Sequence, residues 1–402
     1  MRGRLSKESA PVLVFQALFN FGSSFSALFV NVYLWRLKSS LESIAFYNFC
    51  VYVSLLFWSL VCGKVIEKRG EVFCLRAGIM LYTTFYSSIL LLQERSGDFL
   101  IPLGLLAGMA AAFLFMGSNS LIARQTHNRD RDFFFGALAA VSGMGAIIVQ
   151  PVSGSIISHF SGLQGYSIIF SLSAGLYLCA IITSFWLPRS RGSEVFHFSE
   201  TWRAYRNDPR WRGVGLSMFI ASIRGGLYGF LITILAYLTF KDEWGLSRYS
   251  MVMSTVTLLA AFTVGRMLTA ERRVRFYFLG ASFSLIASLI LVIWSGKPGF
   301  LLYGLLFNAA SPLRDIPTNT ISYEVIDDLN RQRGMRFTYV IAREVPINLG
   351  RLVGIGLFLL LYRYAQSDWV IKLLIPAVTT LELSNVFIFR WIKHQSNTSN
   401  PG

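Results

Sequence analysis

The sequence predicts an all-α integral membrane protein, with twelve transmembrane helices arranged as two six-helix pseudo-repeat bundles. Of its 402 residues, 54% are hydrophobic and only 14% are charged, whereas a soluble domain carries roughly 25% charged residues. Windows of roughly 20 apolar residues, the length that crosses the hydrocarbon core of a bilayer, recur along the whole chain. Lys and Arg concentrate in alternate connections between these windows, as they do in cytoplasmic loops.

Twelve apolar windows divide evenly around the longest polar break. In the first half of the chain they cover residues 11–35, 43–62, 72–92, 99–123, 134–157 and 166–187. In the second half they cover residues 213–238, 250–268, 276–294, 300–322, 337–361 and 370–391. We therefore expect an N-terminal six-helix bundle at 1–187, a cytoplasmic central linker at 188–212 and a C-terminal six-helix bundle at 213–402.

The distribution of positive charge predicts the orientation. Of the 37 Lys and Arg residues, 26 lie on one side of the predicted helices, eight lie on the other, and three lie within helices. Because positive loops are retained in the cytoplasm, both termini are expected there, in a multi-pass protein of the cytoplasmic membrane. The net charge of +16 has the same origin, so nucleic acid is not an expected partner and membrane lipid is.

The linker contains six arginines together with Trp202, Tyr205 and Trp211. Interleaved aromatic and basic residues are typical of an amphipathic helix that lies on anionic lipid. A solvated linker explains the same composition, and the sequence does not choose between them.

Other function classes lack their signatures. The four cysteines have no C-x-x-C spacing and the four histidines are far apart, so neither a disulfide framework nor a metal site is expected. The chain has no phosphate-binding G-x-x-x-x-G-K-[ST] loop and no H-E-x-x-H or G-x-S-x-G motif. We expect neither an ATP-driven pump nor an enzyme, and no cofactor other than a proton gradient.

The loop after the second predicted helix reads Gly63-Lys-Val-Ile-Glu67-Lys68-Arg69-Gly70, which suggests a tight turn where two glycines let helix ends approach. It resembles the G-x-x-x-D-R-x-G loop of the major facilitator superfamily, with Glu67 in place of the usual Asp, and the resemblance implies a cytoplasmic gating loop. A degraded copy, Gly265 to Arg273, follows the eighth predicted helix 202 residues later, half the chain length. A charged turn that merely serves the positive-inside bias is the alternative.

This resemblance covers essentially the whole chain and implies two duplicated six-helix halves that transport by alternating access. It also implies a functional monomer in which the first, fourth, seventh and tenth helices line a central cavity. Glycines and a proline in the fifth helix are faintly similar to the antiporter members of the family. That pattern comprises Gly143, Gly145, Pro151 and Gly154, with departures at Ala146 and Gln150.

Charged residues inside the predicted helices are the sharper indication of function, because each costs at least about 2.5 to 3.5 kcal/mol at the bilayer centre. They are Arg224, Arg314, Asp315, Glu344, Arg351 and Glu382. On the tenth helix Asn308, Ser311, Asp315, Asn319 and Ser322 share one helical face, and on the eleventh Glu344, Asn348 and Arg351 do the same. The first helix repeats the pattern with Gln16, Asn20, Ser23 and Asn31.

We expect Asp315 and Glu344 to be the proton carriers. Counter-charges and substrate ligands in the cavity are expected among Asn20, Arg224, Asn308, Arg314, Asn348 and Arg351. Glu382 lies on the twelfth helix, which is peripheral in the resembled fold, and a structural role is expected for it. All these charges could instead form permanent structural ion pairs.

These residues predict a proton-coupled secondary transporter of a small organic solute, with export slightly favoured by analogy. Uptake or exchange of an organic anion is the alternative, motivated by the three intramembrane arginines. A transport-inactive membrane sensor or scaffold is a further alternative from a different class.

Overall fold

The computed structural model describes residues 9–125, 138, 140–187, 196–294, 296–333, 335–365 and 368–399. The start of the predicted fifth helix lies outside these residues. The first eight residues of the predicted linker also lie outside them. The described α-helices of the first half are α1 (Ser9–Lys38), α2 (Leu41–Arg69), α3 (Glu71–Leu92), α4 (Leu100–Gln125), α5 (Gln150–His159) and α6 (Gln164–Thr183).

The described helices of the second half include two that are shorter than a membrane span. In chain order they are α7 (Phe198–Asn207), α8 (Pro209–Phe240), α9 (Glu243–Met267), α10 (Arg273–Ile293), α11 (Lys297–Arg333), α12 (Arg336–Ala342), α13 (Glu344–Ala365), α14 (Asp368–Glu382) and α15 (Asn385–Ser399). No strand occurs in the described part of the chain. The all-helical class is confirmed.

Ten segments of the described residues are long and apolar enough to cross a membrane. One of them, Glu71–Ile122, contains both α3 and α4, and α11 is not among the ten. α11 carries many polar and charged residues, and that lowers its hydropathy below that of its neighbours. A multi-pass membrane protein is therefore confirmed, whereas the exact count of twelve membrane helices is not.

The described contacts form two compact units. The first contains residues 1–195 and 232–252, and the second contains residues 196–231 and 253–402. The end of α8 and the start of α9 thus pack with the first unit, although they follow the linker in sequence. The division into bundles at 1–187 and 213–402 stays a prediction.

Glycines set the helix spacing in the first unit, where α4 packs against α2 and α3. A Cβ atom on Gly78 would lie 2.5 Å from the backbone nitrogen of Leu114, and one on Gly108 would overlap the carbonyl oxygen of Val51. Small residues at such crossings let helix backbones approach closely, which provides van der Waals contact where lipid provides no hydrophobic drive.

The second unit is built around α10, which packs against α11 and α14. Its core near the linker is aromatic: Trp211 contacts Tyr339 edge-on at 5.2 Å between ring centroids, and Tyr277 contacts Phe389 at 4.9 Å. The linker helix α7 packs against α12 and buries Ala204, while Trp202 on its other face is 61% exposed. The described part of the linker is thus helical and amphipathic.

Two predicted helices are interrupted. The eleventh breaks at Arg343 between α12 and α13, because Pro346 has no N–H to donate to the carbonyl of Ala342. The twelfth breaks after Glu382, where the N–H of Val386 bonds to Leu383 instead of Glu382. Inside a membrane such breaks free backbone polar groups that other residues must satisfy.

We expect Gly108→Ala to destabilise the protein by about 1 to 3 kcal/mol, because its new methyl group would meet the α2 backbone, which cannot yield. The measurement is the thermal unfolding midpoint of the purified protein in detergent. Gly175→Ala is the matched control, since nothing lies within 4 Å of its Cβ position, and alanine favours the helix by about 1 kcal/mol. Equal losses in both variants would contradict the close-packing account.

Candidate functional site

Glu382, the last residue of α14, lies at the centre of a buried charge cluster. Its Oε1 accepts a hydrogen bond from Nε of Arg224 at 2.7 Å, and its Oε2 accepts one from Nη1 of Arg314 at 2.8 Å. The carboxylate is 1% exposed and Arg314 only 2%. One buried anion is therefore shared by two cations, one from α8 and one from α11.

The break after Glu382 helps to fix its position. The carbonyl oxygen of Glu382, which has lost its helical donor, accepts a hydrogen bond from the hydroxyl of Tyr277 at 3.1 Å. The amide of Asn385 donates to that same hydroxyl and to the backbone oxygen of Ser217, both at 3.1 Å. Side chains from α10 and α15 thus hold the end of α14 in place.

Asp315 is the second carboxylate of the cluster, and its environment differs sharply. Its Oδ1 lies 4.0 Å from Nη2 of Arg224, and its side chain is 53% exposed. Its other oxygen accepts a hydrogen bond from the Ser311 hydroxyl at 2.6 Å, one turn earlier on α11. A carboxylate this exposed within a membrane protein needs water or a partner, because hydrocarbon does not tolerate it.

An aromatic wall completes the cluster. The ring of Phe307 lies 5.3 Å from the guanidinium carbon of Arg224 and 4.9 Å from that of Arg314, both within cation–π range. Tyr228 also contacts Arg224, at 5.5 Å, and its hydroxyl is 2.9 Å from that of Thr379. These rings stabilise the arginines without neutralising their charge.

The cluster has more donors than acceptors. Nε and Nη2 of Arg314 are buried and have no hydrogen-bond partner among the described residues. Buried polar groups normally find partners, so an added acceptor atom near these arginines would be favourable. With both carboxylates ionised the four charged groups sum to zero, and with one carboxylate protonated they sum to +1.

The predicted residues on α13 form a separate group. Asn348 is fully buried, accepts a hydrogen bond from Nη1 of Arg351 at 3.1 Å and donates to the backbone oxygen of Glu344 at 2.9 Å. The shared face predicted for these three residues is therefore present. Glu344 is half-buried at the start of α13, and its carboxylate makes no ion pair within the described part of the chain.

The predicted asparagines bond to their own surroundings. Asn308 donates to the carbonyl of Gly304 at 2.8 Å and accepts from Thr257 at 3.3 Å. In the first unit, Asn20 donates to the hydroxyl of Ser142 at 2.9 Å. These contacts do not test a role in substrate binding, which stays a prediction.

The predicted tight turn over Gly63–Gly70 is wrong in extent. Helix α2 continues through Gly63, Glu67, Lys68 and Arg69, and the chain turns at Gly70 alone, with φ of 81°. Glycine adopts this conformation without steric cost. Lys64 donates to Glu67 at 3.1 Å within the helix, so the gating role of this segment stays a prediction.

Two buried carboxylates carry more contacts than the sequence indicated. The sequence predicts a peripheral, structural role for Glu382, although a charge midway along an apolar helix is costly and so indicates a specific contact. Glu243 was not singled out at all. It is buried in the first unit, where it accepts hydrogen bonds from Arg36 at 3.0 Å and from the hydroxyl of Tyr166 at 2.8 Å.

Comparison with known proteins supplies the family. A family model described as Major Facilitator Superfamily matches residues 12–337. The uncharacterized protein YqgE of Bacillus subtilis (strain 168) is 28% identical over 382 residues, which cover 95% of this chain and 88% of that protein. An uncharacterized protein encoded in the sodM 3′ region of Geobacillus stearothermophilus is 29% identical over 197 residues, 48% of this chain and 92% of that one.

Solved structures of two transporters share the fold. The human organic anion transporter MFSD10 (TETRAN) aligns with a TM-score of 0.69 at 12% identity, covering 96% of this chain and all of that one. A mutant of the nucleoside transporter NupG aligns with a TM-score of 0.74 at 11% identity, with the same coverage. At these identities the likeness concerns the fold alone.

We expect Glu382→Gln to destabilise the protein by about 3 to 5 kcal/mol, because two buried guanidinium groups would lose their shared counter-charge. The double variant Glu382→Gln/Arg314→Gln removes one charge of each sign and should recover a large part of this loss. The measurement is unfolding of the purified protein in detergent.

The control for this prediction is Glu200→Gln, which breaks the solvent-exposed ion pair with Arg203 and should cost less than about 1 kcal/mol. If the Glu382→Gln and Glu200→Gln variants unfold at the same temperature, the cluster is not held by Glu382.

Proposed function

Because this chain belongs to the Major Facilitator Superfamily, we propose that it is a proton-coupled secondary transporter of a small organic solute that works by alternating access. Membership in this family makes the chain a multi-pass membrane transporter of a small molecule and not an enzyme. The observation that supports proton coupling is the difference in distance from Arg224, which is 2.7 Å for Glu382 and 4.0 Å for Asp315. The basic loops support a cytoplasmic membrane location with both termini inside, and family membership supports one chain as the working unit.

The two carboxylates differ in what protonation would cost. Protonating Glu382 would leave two buried guanidinium groups without their close counter-charge, at 2.7 and 2.8 Å, and unpaired buried charge is strongly destabilising. Protonating Asp315 would give up only a 4.0 Å contact at an exposed position, where the Coulomb attraction is weaker. This difference in cost supports Asp315, and not Glu382, as the group that exchanges a proton.

The same arithmetic favours an anionic substrate. When Asp315 takes up a proton, the cluster carries a net charge of +1 and Arg224 loses one of its two anionic neighbours. An anionic group of the substrate can then lie beside Arg224 and restore neutrality. Binding of the proton and of the anion thus favour each other, as symport in one direction requires. MFSD10, a structural neighbour, is named an organic anion transporter.

Export, the direction that the helix-five pattern favours, gains no support from these contacts. A Cβ atom on Gly145 would lie 2.5 Å from the Ser24 hydroxyl, and one on Gly154 would overlap the side chain of Ser247. Close packing explains both glycines, so the pattern does not argue for an antiporter. We therefore place symport of an organic anion ahead of export.

Asp315→Asn should abolish accumulation driven by a pH gradient, because the variant cannot gain or lose a proton at this site. Energy-independent exchange of substrate should persist, since the arginines remain. The measurement uses proteoliposomes with a trapped pH dye and a panel of anionic, cationic and neutral probes. The anions include benzenesulfonate, which is permanently ionised and does not cross lipid as a neutral acid. The comparison variant is Glu344→Gln, the other predicted carrier, which should keep driven transport.

Driven accumulation by the Asp315→Asn variant would show that Asp315 is not the carrier. Loss of driven accumulation in the Glu344→Gln variant alone would show that Glu344 is the proton carrier. Absence of flux and of exchange for every anionic, cationic and neutral probe in the wild-type protein would favour the sensor or scaffold alternative.

Arg224→Gln should weaken binding of anionic probes by about 10- to 100-fold, the range for losing a hydrogen bond to a charged group, while neutral probes lose much less. The measurement is equilibrium binding to the purified protein. Arg266→Gln is the matched control, because Arg266 stacks on Phe262 at 4.0 Å and lies outside the cluster. Equal losses for anionic and neutral probes would assign Arg224 a purely structural role.

A further inference from the structure

A pocket lies in the second unit, outside the charge cluster. It has a volume of about 430 Å³ and is enclosed by the start of α10, the last part of α11 and the middle of α15. Its wall combines an apolar group with charges of both signs. The residues that carry the argument are Ile321, Val325, Phe389, Arg331 and Lys393.

The apolar and charged residues of this pocket are ordered along the helix axes. On α11, Ile321 and Val325 precede Arg331, and on α15, Phe389 precedes Lys393, so each helix presents its apolar residue first and its cation nearer its C-terminal end. Ile321, Val325 and Phe389 are all buried. The pocket is therefore apolar at one end and charged at the other, where Asp327 and Asp328 accompany the two cations.

The length of α11 sets the depth of the pocket in the membrane. Its 37 residues span about 55 Å at 1.5 Å per residue, which exceeds a hydrocarbon core of about 30 Å. The predicted apolar window on α11 ends at residue 322, so Ile321 lies at its end, and the segment up to Arg331 extends into the headgroup layer of the predicted cytoplasmic face. The apolar end of the pocket then faces the membrane interior.

The acids of the pocket wall are already paired. Glu324 lies 2.5 Å from Arg273, and Asp328 lies 3.1 Å from Arg210. Asp327 lies 3.2 Å from Arg336.

Arg331 and Lys393, by contrast, make no ion pair with any residue that the structure describes. Each of the three acids pairs with another cation, although Arg210 is shared between Asp328 and Asp208, the latter at 3.6 Å. The two positive charges at the outer end of the pocket therefore have no ion-pair partner among the described residues.

We propose that this pocket binds the headgroup region of an anionic phospholipid, with the phosphate at Arg331 and Lys393. The glycerol and the first acyl carbons would lie against Ile321, Val325 and Phe389. An anion with an apolar attachment matches the observed order of charge and hydrophobicity, whereas a free inorganic anion would use only the outer end.

The test compares lipid binding to the full-length protein, purified in detergent, by native mass spectrometry and by thermal unfolding. Phosphatidylglycerol should be retained and should raise the unfolding temperature, while phosphatidylcholine should not. The double variant Arg331→Gln/Lys393→Gln should bind phosphatidylglycerol about 30-fold more weakly, given the attraction of two basic residues for anionic lipid.

A charge-matched control is available on two of the helices that enclose the pocket. Arg275 on α10 and Arg390 on α15 are exposed and do not line the pocket, so Arg275→Gln/Arg390→Gln removes the same charge and should leave binding unchanged. Equal weakening in both double variants would show a diffuse electrostatic effect and overturn the site. Inorganic phosphate that protects the wild-type protein as well as the lipid does would overturn the choice of a phospholipid.

Discussion

The carboxylate of Glu382 holds two arginines from different helices, and the charge balance of the second unit depends on this contact. Burying a cation in a membrane protein is costly unless an anion accompanies it. Here one anion, Glu382, is shared by two cations, which leaves a net charge of +1. The second anion, Asp315, makes the cluster neutral. A neutral resting cluster with one replaceable anion follows from that arrangement.

The interruption of the twelfth predicted helix belongs to the same arrangement. Ending α14 at Glu382 frees its backbone oxygen, and Tyr277 binds that oxygen while Asn385 binds Tyr277. The side chain and the main chain of one residue are therefore both held, by helices on different sides. Glu382 is buried and makes two close ion pairs, whereas Asp315, which we propose as the proton carrier, is more exposed and lies 4.0 Å from Arg224.

The charge cluster and the proposed lipid pocket lie at different positions along α11. Arg314 and Asp315 lie in its membrane-embedded part, and Arg331 lies near its end. The acids between them, Glu324 and Asp328, are matched by cations from α10 and α8. These two acids are thus compensated locally. Arg331 has no ion-pair partner among the described residues, so an external anion would be stabilised beside it.

Most of the fold and part of the site could be predicted from the sequence. Apolar length depends on neighbouring residues along the chain, so the all-helical, multi-pass membrane class was predicted correctly. The faces shared by Asp315 with Ser311, and by Asn348 with Arg351, follow from helical spacing alone. Each of these features is local, and local spacing carries it.

The sequence by itself determined that the protein is a helical membrane transporter with charges inside its second half. Only the tertiary structure decided which charges meet: Arg224 and Glu382 are 158 residues apart, and no periodicity relates them. The extent of the turn at Gly70 and the break after Glu382 likewise depended on hydrogen bonds to be made or lost. Pairing across such distances is a property of packing, because helices that are remote in the chain supply the partners.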